Sequence, residues 1–169
     1  MARRITLEPH NAQWATDFAV EAHNLRQALN ETLLNIHHIG STSVPGLIAK
    51  PVIDILLEVI SLDSLDEQNN QMTALGYSPR GEYGISGRRY FVKGGERRTH
   101  HVHAFEAGSM HIIRHLAFRD YLQRHGDIAS QYADIKLSAA KHSQNSSEIY
   151  SQLKNDFIAR HEALALAER

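Results

Sequence analysis

Gly40 and Ser41, followed after twelve residues by Asp54 in an otherwise apolar run, are the residues of this chain best suited to chemistry. The run from Pro51 to Ile60 is apolar on both alternating faces, the pattern of a strand covered on both sides near the middle of a sheet. A lone ionised carboxylate in such a place costs several kcal/mol unless it is paired, hydrogen-bonded or on a metal. Asp54 therefore either caps a turn or pairs with Arg or Lys, or it serves a ligand. Upstream, Ile36 to Ile39 reads as a neighbouring strand that ends at Gly40-Ser41. Gly40 lets the backbone come close to a ligand, Ser41, Thr42 and Ser43 bring hydroxyls, and consecutive loop amides form an anion-binding nest. An ordinary Gly/Ser turn has the same composition; the buried Asp that follows is what separates the two readings.

Histidines supply a second set of candidates. In the segment Arg98 to Glu106, His101, His103 and Phe105 share one strand face, and His100, Val102 and Ala104 the other. If this strand lies beside the one carrying Asp54, His101 or His103 comes within coordination distance of a shared ion or substrate. Otherwise both make hydrogen bonds at a sheet edge. Tyr150 and Lys154, four residues apart on one helix face, can present a ring and an ammonium to one ligand, or pack as a seam and its solvated rim. Arg119 and Asp120 can form an ion pair that locks a helix to the sheet. Arg80, Arg88 and Arg89 either meet phosphates or face solvent. Arg98, Arg119 and Lys136 complete the set as candidate substrate contacts.

A Gly-Ser loop ahead of a strand carboxylate resembles the nucleotidyltransferase superfamily, the polymerase-β-like fold. More closely, Gly40-Ser41-Thr42-Ser43-Val44-Pro45-Gly46-Leu47, Ala49-Lys50-Pro51 and Ile53-Asp54 resemble the signature of the GrpB family. The likeness extends through His101-Val102-His103, Ala117 to Leu122, Tyr132, Lys136, Tyr150, Lys154 and Phe157, nearly the whole chain. The resemblance implies that Gly40, Ser41 and Ser43 cradle the phosphates of a nucleotide, with Lys50 or Lys154 offsetting their charge. It also implies that the helices after the sheet wall the nucleotide, so that Lys136, Tyr150 and Lys154 touch base and phosphates. Family members joined to dephospho-CoA kinase suggest a nucleotide or coenzyme A setting.

The superfamily places a second acid two residues after the first, so that two carboxylates share metals about 4 Å apart. Here that position is Leu56, and Glu58 on the same face lies about 13 Å from Asp54 along the strand. The GrpB-like pattern offers histidine instead, giving a cation held by Asp54 with His101 or His103. The fold suggests Mg or Mn; imidazole ligation favours Zn, Mn, Ni or Fe.

Three functions are compatible with these residues. In the first, an enzyme moves a nucleotidyl or phosphoryl group to a small acceptor, with Asp54 and His103 as catalytic residues. In the second, a catalytically silent module binds a nucleotide or coenzyme-like phosphate and regulates. In the third, the chain binds no small molecule, and Asp54→Leu would then stabilise it.

The elements that must position these groups follow from periodicity. Asn11 can cap a helix with Trp14, Phe18, Ala22, Leu25 and Leu29 on its inner stripe. Asp63 or Ser64 can cap a second helix with Leu65, Met72 and Leu75 inside and Gly76 as its stop. Arg88 to Lys93 and Arg98 to Glu106 read as a hairpin through Gly94-Gly95-Glu96, and Pro79 to Gly84 as a mobile loop at the edge of the site. Ser109 caps a helix from Met110 to His125 with Ile113, Leu116, Ala117 and Leu122 inward, and Asp127 opens another through Ile128, Tyr132, Ile135 and Leu137. After a break at Ser143-Gln144-Asn145, a last helix carries Ile149, Leu153, Phe157 and Ile158 into a frayed tail from Ala163. The expectation is one α+β domain over residues 1–169, a mixed sheet flanked by helices, with a core to about 106 and C-terminal helices over about 109–165. Eighteen basic against nineteen acidic residues argue against a general nucleic-acid-coating surface, though not against a basic cleft. No cysteine is present, and no apolar run suits a signal peptide or a membrane span. A cytoplasmic protein is the expectation; the pattern leaves its oligomeric state open.

Overall fold

The computed structural model describes residues 6–142 and 147–168, excepting the side chains of 142, 147–150, 152 and 153. Helix α1 spans Gln13–Leu29 and begins where the Asn11 side chain accepts the Gln13 N–H at 2.9 Å. Its Trp14, Ala22, Leu25 and Leu29 are buried at the spacing the sequence predicts. Five strands follow: β1 Leu33–Ile39, β2 Ile53–Val59, β3 Tyr77–Pro79, β4 Arg89–Lys93 and β5 His100–Glu106. They pair in the order β1-β2-β5-β4-β3, antiparallel throughout except for the parallel joint of β2 with β5. The fold is α+β with a mixed sheet, and the run around Asp54 is an interior strand flanked on both sides.

Period-two alternation assigns the two faces. Ile53, Ile55, Leu57 and Val59 of β2, with Val102 and Ala104 of β5, pack beneath α1 and beneath two short helices, α2 Leu62–Asp66 and α3 Asn69–Ala74. Buried Glu21 ties α1 to the far edge of the sheet, accepting from the Tyr77 hydroxyl at 2.7 Å and from Lys93 Nζ at 2.8 Å. On the opposite face Ile39, Leu56 and Phe105 meet Ile112 of α4, Met110–Arg124. Helices α5, Gly126–His142, and α6, Ser147–Ala167, close around a second apolar cluster in which Ala117, Tyr121, Leu122, Tyr132 and Ala165 surround Val44 and Leu47. The segment after the Gly-Ser turn thus joins sheet and helical block.

Several expectations change in detail. The cap of α2 is Ser61, whose hydroxyl accepts the Ser64 N–H at 3.0 Å, and the expected second helix is divided into α2 and α3. Tyr77 to Pro79 form an edge strand, a place that tolerates Pro79. In α4 the fully inward residues include Ile112 and Tyr121 with Ala117 and Leu122, while Ile113 and Leu116 are half-buried. In α5 Tyr132 is buried as expected, but Lys136 is buried as well, 2% exposed, while Leu137 is 49% exposed. The C-terminal segment is not frayed: α6 reaches Ala167, Ala165 is buried, and Glu168 pairs with Arg124 and His125. The expected break at 143–145 and the inward roles of Ile149 and Leu153 lie outside the described residues. Among the described residues no helix is long and apolar enough to cross a membrane.

Candidate functional site

The site begins at a backbone constraint. Gly40 ends β1 with φ +73° and ψ −174°, a region open only to glycine at little cost, and a Cβ there would lie 2.7 Å from Asp54 Oδ2. The chain then makes a single 3₁₀ turn, Ser41–Ser43. Ser43 spends its hydroxyl proton on the Gly40 carbonyl at 2.5 Å, and buried Thr42 shares a 2.8 Å hydrogen bond with His38 Nε2. His38 stacks on Phe18, and burial lowers its pKa to about 4, so it serves the turn as a neutral ring. Arg119 bonds Asp120 at 2.9 Å and the His38 carbonyl at 3.3 Å, locking α4 to the end of β1 as one sequence reading expects.

Strand register brings the carboxylate and the histidines together. Asp54 is the partner of His101 and Leu56 that of His103, so His101 and His103 share the Asp54 face. Asp54 Oδ1 lies 3.4 Å from His101 Nδ1 and 3.4 Å from His103 Nε2, with the Asp54 side chain 29% exposed. Burial by itself would raise this carboxyl, but hydrogen bonds and charge from the two imidazoles hold it well below the usual carboxylate range. On its far side His103 Nδ1 faces Arg88 Nη1 at 3.4 Å. Arg88 is buried over the Tyr90 ring and also donates to the carbonyls of Glu82, 3.1 Å, and Tyr83, 2.8 Å. Because a guanidinium can only donate, this contact assigns the His103 proton to Nε2, where it points at Asp54. His115 of α4 lies beside His103 with ring centroids 5.6 Å apart, and burial followed by the neighbouring charges of His103 and Arg114 lowers it to about 3.

A cleft of about 220 Å³ opens in front of Asp54. Gly40, Ser41, Thr42, Lys50, Asp54 and His101 line one side, and Tyr132, Lys136 and Lys154 come from the helical block. Buried Lys136 is hydrogen-bonded to the Ser41 hydroxyl and donates to the Ile48 carbonyl at 3.0 Å, with its nitrogen 4.7 Å from the centre of the Tyr132 ring. Burial first, then the charges of Lys154 and Lys50, lower Lys136 to about 6; burial and Lys50 lower Lys154 to about 8. With Lys136 lowered toward the neutral amine, Lys50 and Lys154 beside the Gly-Ser turn are the cations arranged to receive an anion.

The structure sorts the sequence candidates. Gly40, Ser41, Lys50, Asp54, His101, Lys136 and Lys154 line one cleft, with His103 directly behind Asp54. Ser43 is turned to its own backbone, Arg119 is structural, and half-buried Arg98 is not among the residues lining the cleft. Tyr150 falls in α6, its side chain outside the described residues. Leu56 is fully buried, and Glu58 binds His37 at 2.7 Å instead of reaching the site. Arg89 is engaged by Asp66 through two hydrogen bonds of 2.8 and 3.0 Å. Sequence reasoning missed His115 and the inward role of Arg88. The spacing of His111 and His115 on α4 was a usable signal, since it places both rings toward Phe105. Nothing local marks Arg88, whose burial depends on how the loop from Gly81 to Gly87 folds over it.

The residues fit a divalent cation as half of a cage. Two donors each about 2.1 Å from one ion at a tetrahedral angle are about 3.4 Å apart, the separation of Asp54 Oδ1 from His101 Nδ1. Among the described residues no three His, Cys, Asp or Glu side chains converge as a complete cage. His103 is already engaged by Arg88, so the remaining ligands would come from a phosphate-bearing partner, as is usual for cations bound with nucleotides.

Comparison with known proteins places this architecture among relatives. The family profile described as GrpB protein matches residues 4–163. The UPF0157 protein YqkA of Bacillus subtilis is 46% identical over 156 residues, which span 92% of this chain and 46% of that protein's length. The chain thus covers less than half of that curated relative. The solved structure of the conserved protein GrpB from Enterococcus faecalis superposes with a TM-score of 0.92 at 40% identity, covering 96% of this chain and 98% of that one. A dephospho-CoA kinase of Mycolicibacterium paratuberculosis is 26% identical over 91% of this chain and 44% of its own length. Terminal uridylyl transferase 4 from Trypanosoma brucei with bound CTP is a remote likeness, TM-score 0.49 and 14% identity over 80% of this chain and 43% of that chain, from which nothing about chemistry follows.

Proposed function

The chain belongs to the GrpB family, and on that footing we propose that its cleft binds the phosphates of a nucleoside triphosphate and passes a nucleotidyl or phosphoryl group to a small acceptor. The observation that carries this reading is the convergence of Lys50, Lys136 and Lys154 on the Gly40-Ser41 turn, directly in front of Asp54 and His101. Lys50 and Lys154 offset phosphate charge, and Ser41 lines the cleft beside them. Absence of a side chain at Gly40 lets the turn lie against Asp54. Asp54 and His101 would hold a divalent cation, which when bound would neutralise charge developing on the transferred group. His103, fixed by Arg88, keeps Asp54 ionised and aimed at the cleft.

Titration calorimetry with ATP, UTP and coenzyme A, each with and without Mn²⁺, tests the binding. Lys154→Ala and Asp54→Asn are each expected to weaken it at least tenfold, and unchanged affinity in both variants would refute the assignment. Pyrophosphate or phosphate release across a panel of small acceptors then tests turnover.

A second reading, a catalytically silent nucleotide- or coenzyme A-related module, is favoured by Leu56, which stands where the superfamily pattern has a second acid. It requires tight binding without turnover in every acceptor assay. We read the dephospho-CoA kinase relative as a pointer to a coenzyme A setting, and we propose a cytoplasmic location for the chain.

A further inference from the structure

Lys136 has a feature that phosphate binding alone does not require. Its nitrogen is hydrogen-bonded to the Ser41 hydroxyl, and its other hydrogen-bond partner is a backbone carbonyl, that of Ile48. Neither partner is a carboxylate, the side chain is 2% exposed, and two more lysines line the same cleft. Burial and the neighbouring lysines disfavour an ammonium and favour the free amine, outweighing the opposing charge of Asp54. A free amine keeps two N–H donors, one of which serves the Ile48 carbonyl, and has a lone pair that can take up the Ser41 proton. A serine within hydrogen-bond reach of a side chain able to take its proton, at the wall of a cleft, is the arrangement of an activated nucleophile, and Ser-Lys pairs are a recurring form of it.

We propose that Ser41 and Lys136 form a nucleophile–base pair and that Ser41 accepts a phosphoryl group from a nucleoside triphosphate. In this step Ser41 Oγ forms a bond to the terminal phosphorus, and the bond from that phosphorus to the bridging oxygen breaks. The bond's electron pair leaves with the nucleoside diphosphate, and the Ser41 proton passes to Lys136 Nζ. The ammonium so formed sits beside the new phosphoserine, so the product is held by an ion pair the reactant lacks. Lys50 and Lys154 face the same volume and steady the departing diphosphate. The phosphoryl donor rests on the reading of the cleft as a nucleotide site; the activation of Ser41 does not.

A small fluorophosphonate, which reacts covalently with activated serines, tests the pair without any nucleotide. The adduct is expected on Ser41 of the wild-type chain at neutral pH, absent in Ser41→Ala and slowed about a hundredfold or more in Lys136→Met. No adduct on Ser41, or an equal rate in Lys136→Met, overturns the pair. Should Lys136→Met fail to give a cooperative melting curve, the pH profile of the wild type decides. A labelling rate that saturates above about pH 6, the value to which Lys136 is lowered, supports the pair; a rate that climbs steadily with hydroxide through pH 9 overturns it. Incubation with ATP followed by peptide mapping then tests the donor. Phosphate on Ser41 supports the step, and phosphate on Thr42 or Ser43 instead overturns it. ATP bound calorimetrically with Ser41 unmodified overturns the step while leaving the binding cleft standing. Fluorophosphonate labelling of Ser41 without any ATP binding leaves the pair standing and removes the nucleotide reading.

Discussion

Two imidazoles facing one carboxylate decide what Asp54 costs the protein. Replacing it with Leu removes the acceptor of both His101 and His103 and leaves two ring nitrogens without it, so Asp54→Leu is expected to destabilise by about 1–3 kcal/mol. A lowered midpoint in thermal or urea unfolding checks this, and a raised one would restore the ligand-free reading of the chain. The folded pKa of Asp54 is depressed, so its contribution is complete above the unfolded value of about 3.9 and disappears as pH falls through the lower folded value. Lys136 acts in the same direction with pH, as a penalty removed rather than a contribution gained. Between about pH 6 and its unfolded value near 10.4 the unfolded chain binds the proton that the folded chain refuses, so stability climbs with pH across that interval. Urea titrations at pH 6.5 and 9 are expected to show the rise, and Lys136→Met to flatten it. Asp54 was legible in the sequence because a charge inside an apolar run demands a partner. The depth of Lys136 was not, since periodicity assigns inward positions to apolar residues and Leu137 stands next to it.

At the scale of elements, the turn after β1 touches Asp54, and the loop before β4 reaches its partner His103 through Arg88. Gly40→Ala forces an L-residue into a glycine-only backbone region and drives its Cβ toward Asp54 Oδ2, a cost of about 1–3 kcal/mol with the carboxylate displaced. Melting and cation titration of this variant are expected to fail together, whereas Gly46→Ala, strained at φ +82° with nothing within 4 Å of its Cβ, is expected to lose stability alone. Arg88 connects the Glu82–Tyr83 backbone to His103, and imidazole ¹⁵N spectra are expected to show the Nε2–H form of His103 in the wild type and a mixture in Arg88→Met. An Nδ1–H form in the wild type would break this connection. Strand β2 was readable from its unbroken apolar run, and β4 and β5 from their β-branched and aromatic residues and the Gly-containing turn between them. The order in which they pair was not, because a parallel joint between distant segments leaves no local trace.

For the whole molecule, the cleft is a joint. Its Gly40, Lys50, Asp54 and His101 belong to the sheet side and its Tyr132, Lys136 and Lys154 to α5 and α6, so an anion seated there bridges both. A nucleotide at a hundred times its dissociation constant would stabilise the chain by about 2.7 kcal/mol. The accompanying rise in amide protection is expected in α5 and α6 as well as in β2, and protection confined to the sheet would separate the two halves.

The parallel pairing of β2 with β5 also sets the order of events when the chain folds. The β1–β2 and β4–β5 pairs can each form from neighbouring segments, but Asp54 meets His101 only after a long intervening loop has closed, which is an entropic barrier. Carboxylate and histidine are therefore strangers until late in folding. After dilution from denaturant, ligand binding should return more slowly than secondary structure, and partly folded chains, however rich in hairpins, should be unable to bind or react.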